Sequence, residues 1–141
     1  MSLNQITIRN LGPEDAHVLD RVRPGVFGDV VDPARVWAFL ATRVNELVVA
    51  LDIGEVVGFA CGTVMMHPTR ATEFLVQDVA VHADLDGAGM EERLLARITE
   101  LALDRGCETI RAVDTPNSLF ASLAEGEEPG LSKFHWIEPK G

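Results

Sequence analysis

Residues 73–89 read EFLVQDVAVHADLDGAG, and the fold turns on how they are parsed. The first ten, 73–82, carry the β-branched and aromatic residues of a strand. Their alternation breaks in the middle. Phe74 and Val76 are apolar on one parity, Val79 and Val81 on the other, and polar Gln77-Asp78 lies between. Side chains alternate strictly along a strand, so one extra residue near Gln77 and Asp78 would return both pairs to a single face. That is a β-bulge; a strand buried on both faces is the alternative. A bulge bends its strand from its neighbour and leaves backbone N–H and C=O groups for an extended, amide-bearing ligand. Residues 84–89 (DLDGAG) then form an acidic, glycine-bearing turn that opens a helix. A glycine loop at a helix N-terminus offers amides and a positive dipole end to a phosphate.

The helix is expected from about Ala88 to Arg105. Met90, Leu94, Leu95, Ile98, Leu101 and Ala102 share one face at 3.6-residue spacing, and Gly106 sits where a C-terminal cap belongs. A strand follows over 108–114. Strand, helix and strand over 73–114 make a βαβ crossover, which requires the two strands to be parallel and the crossover right-handed. Upstream, residues 5–9 (QITIR) alternate as a first strand. Gly12-Pro13-Glu14-Asp15 signals a helix burying Val18, Leu19 and Val22, and Asp32-Pro33 a second one with Val36, Phe39 and Leu40. Residues 46–52 and 55–65 form a hairpin about Ile53-Gly54. Gly58 and Gly62 mark bends or close backbone approaches in its second strand. Downstream, Pro116 starts a short helix over Asn117–Leu123, and 132–138 alternate as a last strand. The fold class is therefore α/β (α+β): a mixed, mostly antiparallel central sheet flanked by helices.

The 141 residues fit one domain spanning 1–141. Net charge is −10, from 22 acids against 12 bases. A nucleic-acid binder needs a basic face, and so does a protein drawn to anionic membrane, so both are disfavoured. The acidic balance suits a cationic partner, as well as solubility. Cys61 and Cys107 lie far apart, without disulfide or metal-ligand spacing, and read as free thiols of a cytoplasmic protein. No apolar run reaches the ~18 residues of a membrane span. His17, His67, His82 and His135 are scattered and join no catalytic grouping. Trp37 and Trp136 read as core or interface anchors.

The chain resembles the GNAT acyltransferase superfamily over nearly its whole element order, most sharply over residues 72–123. TEFLVQDVAVHADLDGAGMEERLL is similar to that family's fourth strand, pyrophosphate loop and third helix. Glu73, Asp78, Val79, Ala80 and Val81 match best the form found in aminoglycoside 3-N-acetyltransferases. The resemblance implies that acetyl-CoA is the co-substrate. Its pantetheine arm would lie along Val79, Ala80 and Val81. Its pyrophosphate would lie against the loop of Asp86, Gly87, Ala88, Gly89, Met90 and Glu91. Asn117 and Phe120, the latter within LFASL at 119–123, would flank the thiol. It also implies a homodimer as a common state. The acceptor would be a small amine, with a cationic one such as an aminoglycoside suited by the charge. Asp78 would be the base that takes the amine's proton, or else would bind the free amides of the bulge. Glu73 and Phe27 would contact the acceptor; an exposed strand end and glycine-rich loop packing are their plain alternatives.

The departures from the family pattern are chemical. Asp86 stands where the loop pattern has Arg or Gln, and Glu91 where it has Gly or Ala. With Asp84 and Glu92, four carboxylates then crowd a polyanion site that has only Arg93 near. Each exposed like-charge pair at about 5 Å costs on the order of 1 kcal/mol in water. Two or three would weaken binding roughly ten- to a thousandfold. The same acids also stabilise a helix N-terminus. Phe120 replaces the usual Tyr acid, and the chain contains no Tyr. Water or Cys61 would be left to protonate the departing thiolate. Two functions follow: an N-acyltransferase working by direct attack, or a GNAT-fold binding or regulatory module without catalysis.

Overall fold

The computed structural model describes residues 5–113 and 134–137. Its backbone forms a six-stranded sheet in the order β1 (Ile6–Asn10), β2 (Asn45–Asp52), β3 (Glu55–Met65), β4 (Glu73–Val81), β5 (Thr109–Val113) and β6 (Phe134–Ile137). Pairing is antiparallel from β1 to β4 and parallel from β4 through β5 to β6. The expected mixed, mostly antiparallel sheet is therefore present. Ile53 and Gly54 both adopt positive φ, which is the turn chemistry a two-residue hairpin between β2 and β3 demands.

Two helices lie on opposite faces. Helix α1 (Pro33–Ala41) starts as expected, with the Asp32 carboxylate accepting from the Ala34 amide at 2.9 Å and Pro33 in the first turn. Helix α2 (Met90–Asp104) buries Met90, Leu94, Leu95, Ile98 and Ala102 against Val48, Val57, Ala60, Phe74 and Val76 of the sheet. Gly106 closes α2 at φ 78°. The other face packs Leu47, Val49, Val56 and Phe59 under Leu40, Leu19 and Val26.

One expected helix is corrected. Pro13–Asp20 is a 3₁₀ segment. Its buried residues, Val18 and Leu19, are adjacent and make no stripe at helical spacing, so packing does not reward a 3.6-residue period. The Asp15 carboxylate accepts from the Gly12 amide at 2.9 Å and the Asp15 amide donates to the Gly12 carbonyl at 2.9 Å, which tightens the first turn. Among the described residues no helix is long and apolar enough to cross a membrane. The short helix expected over Asn117–Leu123, and Asn117 and Phe120 themselves, lie outside the described residues.

Both glycines of β3 mark close approaches. A Cβ on Gly62 would come within 2.8 Å of Phe74 Cζ, and nearer still to Phe74 Cε1 and the Leu75 carbonyl oxygen. One of these neighbours is backbone and another a fully buried ring, so neither can yield cheaply. Gly62→Ala should therefore destabilise the fold by about 3 kcal/mol, at the upper end for overpacking, in denaturant unfolding. An unchanged midpoint would show that β3 and β4 are looser here than the register implies.

Candidate active site

Strand β4 carries the bulge. Cys61 pairs with Asp78 and Gly62 with Val76, so Gln77 is the extra residue. The phase break at Gln77-Asp78 is thereby resolved as expected. Phe74 and Val76 are buried, and Val79 and Val81 pack on the same cluster. Pairing with β5 runs from Glu73–Thr109 to Val76–Ala112 and, among the described residues, ends there. Beyond the bulge β4 keeps β3 and leaves β5.

Backbone alternation then assigns the open edge. The His82 amide donates to the Val57 carbonyl at 2.8 Å, so it faces β3. Counting back by twos, Ala80 and Asp78 face β3 as well. Val79 and Val81 therefore turn their amides and carbonyls to the side that β5 has vacated. Of the three residues expected along an extended ligand, Val79 and Val81 direct their backbones outward, while Ala80 is turned to β3 by the strand's alternation and is corrected.

The glycine loop continues this edge. A 3₁₀ turn (Ala83–Leu85) is capped by His82, whose Nδ1 accepts from the Asp84 amide at 3.1 Å. Leu85 and Met90 are buried and pin the loop to the core. Gly87 and Gly89 take φ of 74° and 83°, a conformation that L side chains resist. The amides of Asp86 and Ala88 donate to the Ala83 and Leu85 carbonyls, at 3.0 and 3.1 Å. Those of Gly87, Gly89, Met90, Glu91 and Glu92 have no hydrogen-bond acceptor among the described residues. Not every amide of the expected loop is therefore available: the amides of Asp86 and Ala88 are spent internally. The first helical turn adds its orphan donors and its positive dipole end.

Side chains oppose what the backbone offers. The Glu91 carboxyl is held above its ordinary pKa, first by partial burial, then by Glu92 and Asp86. The carboxylates thus sense one another across the loop. An anion would meet free amides and a negative rim together.

Asp78 lies on the opposite side of the strand from Val79, directly across from Cys61, so the two side chains share the face that α1 covers. The residue is exposed, yet partial desolvation of its carboxyl raises the pKa; the Val79 amide, by hydrogen bonding, pulls the other way. Asp78 thus performs the amide-binding role and keeps an exposed carboxylate. Cys61 is half-buried, and desolvation, reinforced by Asp78, pushes its thiol up to about 12. Such a thiol stays protonated at neutral pH and is too weak an acid to protonate a departing thiolate of ordinary pKa, about 8.5. Cys61 is therefore discounted as the proton donor.

On this face an apolar cavity of about 230 Å³ opens beside Cys61, lined by Leu19, Phe27, Arg35, Val36, Phe39, Leu47, Phe59 and Cys61. Phe27 stacks on Phe59 with ring centroids 4.1 Å apart. Phe27, expected as an acceptor contact, is thus part of this cavity's wall. Phe59 and Leu47 were missed; their parity with Cys61 and Val49 along β3 and β2 is the signal that places them on this face. Glu73 is not brought to the site. It begins β4, before the bulge, and pairs with Arg111 at 3.1 Å.

A family model described as the acetyltransferase (GNAT) family matches residues 17–124. Comparison with curated proteins returned no match. Among solved structures, an aminoglycoside acetyltransferase from an uncultured soil metagenomic sample, in complex with sisomicin, is 16% identical, with TM-score 0.68, over 91% of this chain and 93% of that one. A transcriptional regulator from Bacillus halodurans C-125 is 22% identical, with TM-score 0.69, over 89% and 94%. A ribosomal-protein-alanine N-acetyltransferase from Brucella melitensis biovar Abortus 2308 is 20% identical, with TM-score 0.59, over 96% and 81%. At these identities the likeness is one of fold.

Proposed function

The chain belongs to the acetyltransferase (GNAT) family, and from that premise we propose that it moves an acetyl group from acetyl-CoA to the amine of a small molecule. The observation that carries this reading is the opened edge of β4, with a carboxylate on one face of the strand and two outward-directed backbones beyond the bulge. Free Cys61 and Cys107 suit a cytoplasmic setting.

The backbone fits acetyl-CoA. Val81 offers its N–H and C=O groups to the pantetheine amides, and Val79, whose amide is taken by Asp78, offers its C=O. Gly87, Gly89, Met90 and Glu91 offer amides to its pyrophosphate. The thioester supplies the activated acyl group. Asp78 accepts the proton as the acceptor nitrogen bonds to the acyl carbon and the carbon–sulfur bond breaks. The Val79 amide holds that carboxylate in place. No side chain described here supplies an acid, so the sulfur leaves as thiolate and takes its proton from water. Positioning of the amine then carries most of the acceleration.

Calorimetric titration with acetyl-CoA at low salt should give a dissociation constant below about 1 mM, equivalent to roughly −4 kcal/mol or better. Absence of binding at millimolar ligand would overturn the enzyme and leave the non-catalytic module, to which the acids of the loop already point.

A further inference from the structure

The cavity beside Cys61 says which amine the site takes, granted the acetyltransferase reading. Three phenylalanine rings, Phe27, Phe39 and Phe59, dominate its wall. Its single charged residue, Arg35, is a cation whose side chain is 89% exposed and sits 3.6 Å from Asp32. Among the described lining residues there is no carboxylate. A polycation would have to strip water from several ammonium groups and meet only hydrocarbon and a like charge. One ammonium has a partner: Asp78 stands across the strand pair from Cys61, where paired side chains are about 5 Å apart. The size agrees. An apolar cavity of about 150 Å³ holds benzene, so about 230 Å³ holds one ring and a short tether.

We propose that the acceptor is an arylalkylamine, its ring seated against Phe39 and the stacked Phe27–Phe59 pair and its amine directed past Cys61 to Asp78. The net charge of −10 is then a property of the rest of the surface, and the arylalkylamine takes the place of the aminoglycoside that the resemblance and the charge suggested.

The test compares 2-phenylethylamine with spermidine on the full chain. Binding is measured by calorimetry, and acetyl transfer in the presence of acetyl-CoA. 2-Phenylethylamine should bind and react at least tenfold better than spermidine. Phe27→Ala, at a half-buried wall position, should remove about tenfold of that binding. Val36→Glu, which puts a carboxylate into the wall, should shift the preference at least tenfold toward spermidine while the fold persists. Equal or better binding of spermidine by the unmodified protein, with transfer to it, would overturn the proposal and leave the acetyltransferase standing. Selective binding of 2-phenylethylamine without transfer would uphold the cavity's ligand class and overturn the acetyltransferase. No preference in the unmodified protein, and none created by Val36→Glu, would overturn the cavity assignment.

Discussion

Asp78→Asn should lower acetyl transfer by about 10²- to 10⁴-fold, the range general-base catalysis contributes, while leaving the protein at least as stable as before. The two effects separate the roles of one carboxylate. Asn keeps an oxygen that can accept from the Val79 amide, so the bulge stays capped; it cannot take a proton from the amine. The stability side follows from the sign of the pKa shift. Burial raises the Asp78 carboxyl, so the folded chain holds that proton more tightly than the unfolded chain does. The resulting stability is full below the unfolded pKa and is lost as pH rises through the folded one. At neutral pH the charged form therefore weighs against the fold, and a neutral amide relieves it. A melting temperature equal to or above that of the unmodified protein, measured at pH 7, is the expected result. On the kinetic side, the acid limb of the rate profile should lie above the ordinary carboxylate range and vanish in the variant. A variant rate within threefold of the unmodified protein would reduce Asp78 to a cap for the bulge.

The second large effect is expected at the loop. Asp86→Arg combined with Glu91→Gly should tighten acetyl-CoA at least tenfold at low salt, and up to about a hundredfold if two or three like-charge terms of about 1 kcal/mol disappear. The Glu91 carboxyl is raised first by partial burial, and Glu92 and Asp86 add to it, so part of the shift is the rim working against its own charge. The gain comes with a loss elsewhere. Glu91 lies in the first turn of α2, where Gly costs about 1 kcal/mol; its carboxyl is raised, so losing its charge does not add to that cost. The double variant should therefore melt lower while binding tighter, two movements that a general loosening would not produce together. Salt gives a further check. Most polyanion sites lose affinity as salt rises, whereas screening here also weakens the rim's repulsion. The double variant should thus show the steeper salt dependence. Unchanged affinity would mean that the loop does not face the pyrophosphate.

Much of this was written in local pattern. Four apolar residues on two parities left a bulge or a strand buried on both faces, because a strand's side-chain period cannot otherwise bury them, and the register with β3 decided for the bulge. The hairpin followed from Ile53-Gly54, and α1 from Asp32-Pro33, because turns and caps are set within a few residues. The loop's glycines and its acids were equally legible, and so was the conflict between them.

Contacts across the sheet were not. Whether Pro13–Asp20 coils as an α-helix depends on what its apolar side chains meet, and they meet the sheet as an adjacent pair. Glu73 looks in sequence like a free acid at a strand end, and parallel pairing with β5 brings Arg111 to it. The cavity is the clearest case. Leu19, Phe27, Val36, Phe39, Leu47, Phe59 and Cys61 come from five separate segments, each with an ordinary apolar pattern. Periodicity states that such residues are buried; it does not state against what, or whether the packing closes. The order of elements, the kink and the glycine loop were thus decided along the chain. The character of the apolar cavity was decided only when the sheet brought those segments together beside Asp78.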